Sequence, residues 1–424
     1  MHCNLGAAWQ DLGDPGQALA SYDAALAITP AYALAWSNRG NALRQLGRLE
    51  DACASYQRAL TLRADYPEAL CNLAISLHGL GRDQQALAAA AQALVLRPRD
   101  VAALCASGNA LHGMGRFEEA VEQFGAALAI EPGHAQAWCW HGIALQKRGL
   151  YVQAVASYDR AIALRPVFAD PVHFKGNALH ALGQDDAALA AWRAALALGG
   201  DADALGFAIA ALAASGAPAV APASYVKTLF DDYAGHFDAH LVERLDYRTP
   251  QLIGAALDTL QLPPALDTVD LGCGTGLCAP VLRARSRTLA GVDLSEKMLE
   301  KAHARGGYDV LACADITAWL AGQSASWDLV VTADVLVYFG DVAPLLGQVA
   351  AALRPHGWMA CSVENHAGEE GYVLQASSRY AHALAYLEQA AGAAGLRLHA
   401  ATPAVLRRDR GDAVHGHIVL LQKI

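Results

Sequence analysis

The sequence predicts an α-helical solenoid followed by a doubly wound α/β sheet. Three observations carry that prediction. The chain aligns with itself six times, without a gap, at a shift of 34 residues. From Leu262 onward, short apolar runs alternate with helical stretches, the pattern of a sheet covered by helices. Between the two, Ala217-Pro218-Ala219-Val220-Ala221-Pro222-Ala223 reads as a semi-rigid linker.

Composition bounds the function. Of 424 residues, 31 are Lys or Arg and 41 Asp or Glu, a net charge of −10 that argues against a general nucleic-acid binder. The apolar fraction of 54% excludes disorder across the whole chain. The longest uncharged stretch, Ala204 to Val226, is broken by Gly216, Pro218 and Pro222, so no bilayer span is expected. Met1-His2-Cys3-Asn4 has neither a basic nor an apolar region of the leader type. Nine cysteines without a CxxC spacing give no disulfide framework and no zinc site. A cytoplasmic location is the expectation.

The repeat is legible column by column. Gly13, Gly47, Gly81, Gly115, Gly149 and Gly183 occupy one column, and Ala18, Ala52, Ala86, Ala120, Ala154 and Ala188 a second. A third holds Tyr22, Tyr56, Ala90, Phe124, Tyr158 and Trp192; a fourth holds Pro30, Ala64, Pro98, Pro132, Pro166 and Gly200. Each unit is a helix, a glycine turn, a second helix and a stop. Alanines let the helices approach, and the aromatic wedges between them. In period and columns the pattern resembles the tetratricopeptide repeat, over residues 1–200. The opening helix of the first repeat is expected to be short, and residues 201–216 to form a helix that caps the stack.

In tetratricopeptide superhelices the first helix of each repeat lines a concave groove. Polar residues fall on one face of that helix at helical spacing. Asn38, Asn72 and Trp140 lie in one column, and Asn41, Asn109 and Asn177 in the next. Amides carry donors and acceptors, so they suit the backbone of an extended peptide. The competing expectation is that these residues are solvated or bridge neighbouring repeats. A third column, Gln10, Arg44, His78, His112, Gln146 and His180, spaces its histidines roughly 10 Å apart, too far to share one metal ion.

In the second half, strands are expected at Thr268–Leu271, Thr288–Val292, Val310–Cys313, Leu329–Thr332, Trp358–Val363, Arg397–Thr402 and Gly416–Gln422. A ligand should sit beyond their carboxyl ends. The first strand runs into Asp270-Leu271-Gly272-Cys273-Gly274-Thr275-Gly276, whose alternate glycines let main chain approach a ligand. The second ends at Asp293, where a carboxylate can accept both hydroxyls of a ribose. Dinucleotide proteins usually carry GxGxxG, whereas here the spacing is GxGxG. Leu294-Ser295-Glu296-Lys297-Met298 follows the second strand and Ala314-Asp315-Ile316 the third.

Together these motifs resemble a Rossmann-like, seven-stranded class I S-adenosylmethionine-dependent methyltransferase domain, over about 263–424. The resemblance implies the following roles. Gly272, Cys273, Gly274 and Gly276 form the loop under the cofactor's methionine part, and Asp270 orients its amino group. Asp293 takes the ribose hydroxyls, Leu294 also binds the cofactor, Met298 packs on the adenine, and Asp315 and Ile316 touch its edge. Asp334 completes the crevice after the fourth strand. Residues 217–224 are the linker and 225–262 helices that close over the cofactor, with Tyr233, Phe237 and His240 as lid residues. The same pairing of domains resembles bacterial tetratricopeptide-containing methyltransferases.

A neutral hydroxyl or amine acceptor needs a base, and a carboxylate acceptor only positioning. Candidates near the crevice are Asp334, Tyr338, Glu364 and His366, then Arg379 and His382. Arg379 can fork onto an anion and His382 can take a proton near neutral pH. Arg407-Arg408-Asp409-Arg410 reads as a solvated hairpin turn. No Asn/Asp-Pro-Pro-aromatic tetrapeptide and no Pro-Cys follow the fourth strand, which disfavours familiar amide, base-nitrogen and cytosine C5 chemistry.

The expectation is therefore a methyltransferase whose repeats recruit or present a peptide, protein or carrier-bound acceptor. It uses S-adenosylmethionine and yields S-adenosylhomocysteine, with no metal, nucleic acid or membrane involved. Two alternatives stand: a small-molecule O- or N-methyltransferase whose repeats serve dimerisation or scaffolding, and a non-catalytic adaptor.

Overall fold

The computed structural model describes residues 1–233, 238, 246–366, 368, 371–409 and 411–424. Phe237 and His240, expected in a lid, lie outside the described residues. The chain divides into two compact units, Met1–Gly200 and Asp201–Ile424.

The first unit is six helix pairs, from His2–Asp11 with Pro15–Ile28 to Ala169–Ala181 with Asp185–Ala197. The opening helix has 10 residues where the equivalent helices that follow have 13, as its late start implies. Each pair turns on a glycine of the first column, with φ between +72° and +78°. A Cβ there would meet nothing within 4 Å, so the requirement is conformational rather than steric.

A second glycine column is steric. A Cβ on Gly142 would lie 2.5 Å from the Tyr158 ring, and Gly6, Gly40, Gly108 and Gly176 face Tyr22, Tyr56, Phe124 and Trp192 as closely. Only hydrogen at these positions lets the ring of the second helix press against the first. The third repeat inverts both members: Ala74 replaces the glycine and Ala90 the ring, and both are fully buried. Two alanines thus fill the space of one glycine and one aromatic.

The second unit is built on a seven-stranded sheet of order β3-β2-β1-β4-β5-β9-β8. Its strands are β1 Leu266–Leu271, β2 Ser286–Asp293, β3 Val310–Cys313, β4 Trp327–Thr332, β5 Leu353–Glu364, β8 Leu396–Asp409 and β9 Asp412–Lys423. β9 pairs antiparallel with β5 and β8, while the strands from β3 to β5 run parallel. A small hairpin joins β6 Tyr372–Leu374 to β7 Tyr380–His382. All six residues of β1 are buried, as a central parallel strand covered on both faces requires.

Two expected boundaries change. The helix Ala202–Ala213, read as a cap for the repeats, belongs to the second unit. Its Phe207, 1% exposed, has its ring 4.9 Å from that of Tyr225 and 6.1 Å from that of Tyr380. Amphipathicity tells that one face is buried, but not against what. The segment 217–223 is likewise no free linker. Gly340 N donates to Ala219 O (2.8 Å), Ala221 N to Tyr338 O (2.8 Å), and the Tyr380 hydroxyl to Pro218 O. The strap so formed runs directly into the helix Ala223–Tyr233.

Candidate active site

A cavity of about 380 Å³ opens beyond the carboxyl ends of β1, β2 and β4. At one end lie Asp270, Gly272, Cys273, Gly274, Asp293 and Leu294; Asp315 and Ile316 follow. The helix Ala223–Tyr233 contributes Phe230 and Tyr233, and the strap contributes Val220 and Ala221. Tyr247, Asp334, Tyr338, Ser377, Arg379 and Arg407 are also in the wall.

The glycine loop has the left-handed backbone its residues suggest, with φ of +70° at Gly272, +54° at Gly274 and +84° at Gly276. A Cβ at Gly272 would stand 2.4 Å from a Val335 methyl, so no side chain fits. Gly276 does not line the cavity; hydrogen there makes room for Tyr308 and Ala302. Gly274 N donates to Asp293 Oδ2 (2.8 Å) and Ser295 N to Asp293 Oδ1 (2.9 Å), which ties the loop to the end of β2. Burial raises the Asp293 carboxyl above its ordinary range despite these amides.

Asp270 is 1% exposed. Its Oδ2 accepts from the Tyr308 hydroxyl (2.7 Å), and its Oδ1 has no partner among the described residues. Burial drives the carboxyl up to about 7, the Tyr308 bond opposes this, and Asp293 adds to it. A buried carboxylate oxygen left bare beside a cavity costs free energy unless a ligand donates to it. A cationic amino group is the donor such a site lacks, and the side-chain-free loop beside it admits a ligand's main body. The residues fit S-adenosylmethionine.

In the same wall, Arg379 and Arg407 share Glu364. Arg379 Nε donates to Glu364 Oε1 (2.7 Å) and Arg407 Nη1 to the same atom (2.6 Å). Arg379 Nη2 also reaches Asp334 Oδ2 (3.3 Å) and its Nη1 the Tyr338 hydroxyl (3.5 Å). Burial alone would raise Glu364, but the two guanidinium groups outweigh it and hold the carboxyl low. Asp334 adopts φ +56°, unusual for a residue with a side chain, and Ser362 pins it by hydrogen bonds at 2.8 and 3.0 Å.

Several expected roles are not carried by the geometry. Met298 is fully buried and outside the cavity wall, capped into its helix by Ser295. His382 does not line the cavity: Nε2 donates to Phe339 O (2.7 Å) and Gly340 O (3.2 Å), and burial lowers its pKa. It braces the strap's docking site. Glu364 stands behind the arginines, 2% exposed, and His366 is also outside the wall. Burial pushes the Tyr338 hydroxyl up to about 12, so it enters as a neutral donor or acceptor.

Arg407 and Tyr308 are the residues that sequence reading missed. Arg407 was expected in solvent, yet is 6% exposed. A register shift between Val405 and Arg407 re-aims its side chain, which strict alternation along β8 does not reveal. In the repeats, Tyr56 OH donates to Asn41 Oδ1 (2.8 Å), and so does Asn72 Nδ2 (3.0 Å). Trp192 Nε1 donates to Asn177 Oδ1 (2.8 Å). Asn38 hydrogen-bonds Tyr22, so four groove amides are engaged within the stack, and Asn38, Asn109 and Trp140 are half-buried.

Fold and cavity define a doubly wound domain of the class I methyltransferase type, attached to a helical repeat array. Comparison with known proteins agrees: residues 269–361 match a methyltransferase domain family, residues 40–81 a TPR repeat family and residues 105–167 a tetratricopeptide repeat family. The chain thus joins tetratricopeptide repeats to a methyltransferase domain. A trans-aconitate 2-methyltransferase of Methylobacterium radiotolerans is 30% identical over 155 residues, 36% of this chain and 52% of that protein. A malonyl-[acyl-carrier protein] O-methyltransferase of Methylovorus sp. is 31% identical, over 32% of this chain and 49% of that one. A ubiquinone biosynthesis O-methyltransferase of Thiobacillus denitrificans is 28% identical, over 25% and 47%. The chain spans about half the length of the curated relatives it matches. Among the described residues, no helix is long and apolar enough to cross a membrane and no cluster could hold a metal ion.

Proposed function

We propose that the chain is an S-adenosylmethionine-dependent O-methyltransferase acting on a carboxylate of its acceptor, with the repeats recruiting the molecule that bears it. The observation that carries this reading is one cavity whose wall combines acids and bare main chain with two arginines, Arg407 buried and Arg379 half-buried. When bound, the cofactor supplies a methyl group on a sulfonium, ready for in-line displacement. Gly272 and Gly274 give main chain against its methionine part, Asp270 takes the amino group and Asp293 the ribose hydroxyls. Asp315 and Ile316 meet the adenine. Arg379 orients the acceptor's carboxylate, with Arg407 beside it. Such an acceptor arrives ionised and needs no base. The described lining, which includes no histidine and no lysine, suits that chemistry. Trans-aconitate and the malonyl group, in the names of two of the relatives reported above, are carboxylic acids, which supports the same class of acceptor.

For the repeats, we propose that Asn38, Asn109 and Trp140 contact an extended segment of a protein or carrier. A second reading, scaffolding alone, is favoured by the amides Asn41, Asn72 and Asn177 being engaged internally. The test uses the full chain, labelled cofactor, and trans-aconitate or malonyl-carrier protein as acceptors, with methyl esters read by mass spectrometry. Arg379→Lys should raise KM about tenfold to a hundredfold with a smaller change in kcat, because a point charge replaces a planar fork. Trp140→Arg should weaken turnover of the carrier-bound acceptor alone; equal rates on both acceptors would leave scaffolding as the repeats' role. Absence of any ester product with either acceptor, in a chain that binds the cofactor, would remove the carboxylate reading.

A further inference from the structure

We propose that Tyr308 is a positioning residue for the cofactor's amino group: its hydroxyl holds Asp270 by Oδ2 so that Oδ1 is left to receive the ligand. The proposal rests on the cofactor reading above and adds a residue to it. Nothing in the spacing of the glycine loop points to position 308.

The ring is set in a slot made for it. A Cβ on Gly276 would stand 3.1 Å from Tyr308 Cε2, and one on Gly291 would stand 3.1 Å from Cδ1. Hydrogen at Gly276 leaves room for the ring, and at Gly291 for the ring together with Leu311 and Cys273. The chain delivers Tyr308 through Gly306 (φ +77°) and Gly307 (φ +105°), after the helix Glu296–Arg305. Tyr308 is not part of the cavity wall, so it cannot act on a ligand directly. It acts through Asp270.

A carboxylate turns readily about its last torsion, and its two oxygens are equivalent in isolation. The bond from Tyr308 (2.7 Å) breaks that equivalence: Oδ2 is occupied, and the buried Oδ1 has no partner among the described residues. Among the described residues, the groups acting on Asp270 are Tyr308, Asp293, Cys273 and Cys278, none of them a cation. Burial opposes ionisation of Asp270, and the tyrosine hydroxyl is what favours it from within the protein. The ammonium of the ligand is the cation this proposal sets against Asp270.

The experiment is calorimetry of S-adenosylhomocysteine binding to the full chain at pH 8 and pH 6, for wild type, Tyr308→Phe, Asp270→Asn and the double variant. Tyr308→Phe keeps the ring in its slot, so thermal unfolding should be nearly unchanged. It should weaken binding about tenfold at pH 8, the effect of one hydrogen bond to a charged group, and more at pH 6. In the Asp270→Asn background the same change should cost nothing further. If Tyr308→Phe does not fold, 3-fluorotyrosine at position 308 replaces it; the more acidic hydroxyl should preserve affinity and lower the pH at which it falls. Tyr308→Phe binding like wild type at both pH values overturns the proposal. So does an unchanged tenfold loss in the double variant, which would mark a merely structural role. A wild type that binds no S-adenosylhomocysteine overturns the cofactor reading instead, and the two failures are distinct.

Discussion

Both units seat an aromatic ring against glycine, and they use it differently. In the repeats, Gly142 faces Tyr158, whose hydroxyl donates to Gln146 Oε1 (2.9 Å), a neutral amide. In the second unit, Gly276 and Gly291 flank Tyr308, whose hydroxyl donates to the buried carboxylate of Asp270. The first arrangement recurs along the stack, and Phe124 fills it with no hydroxyl at all, so shape is what the slot requires. The second occurs once and its hydroxyl faces a charge. A ring in a repeated slot contributes packing; a ring in a singular slot aims a functional group.

The largest expected effect that would break this contrast lies in the loop. Gly274→Arg should reduce S-adenosylhomocysteine binding more than about a hundredfold, since a bulky side chain enters a site made of main chain, with unfolding of the repeats unaffected. Next, Tyr158→Ala should destabilise the repeats by about 3–5 kcal/mol in chemical denaturation while leaving cofactor affinity intact. A loss of affinity there would mean the two slots are not separate in purpose. The third repeat offers a sharper case. Ala90→Tyr alone should cost about 1–3 kcal/mol by overpacking, and adding Ala74→Gly should recover most of it.

The smallest effect is with pH. Glu364 has a folded-state pKa below its ordinary value of 4.5, because Arg379 and Arg407 outweigh its burial. Its contribution to stability is therefore present above the unfolded pKa and is lost as pH falls through the lower, folded one. Asp270 has the opposite sign. Raised from 3.8 to about 7, it weakens the fold as pH climbs across that interval, and only above it is fully charged for an ammonium group. Cofactor affinity should thus fall by up to about tenfold per pH unit below 7, and Asp270→Asn should flatten that profile.

Much of this was legible in the sequence because it is periodic or local. Gly13 and its five equivalents recur at 34 residues, and the seven expected strands all lie within observed ones. The steric glycine column was equally periodic but is interrupted by Ala74, whose compensation at Ala90 is visible only as packing. Arg407 was hidden by a bulge that reverses the facing of its strand. Tyr308 was hidden because 38 residues separate it from Asp270, and it takes the pairing of β3 with β2 and of β2 with β1 to bring the two together. Met298 and His382 mark the converse: both have plausible chemistry, and the fold turns it inward.

The strap at 217–223 bears on how such a chain can be dissected. Its amides and carbonyls are stitched to Phe339, Gly340 and Tyr380, and Val220 with Ala221 forms part of the cavity wall. A fragment trimmed to the glycine loop, or even to Ala223, would forfeit that wall and expose the pocket's contents to bulk water. Any excised catalytic piece should start no later than Asp201, so that Phe207 and the strap travel with it.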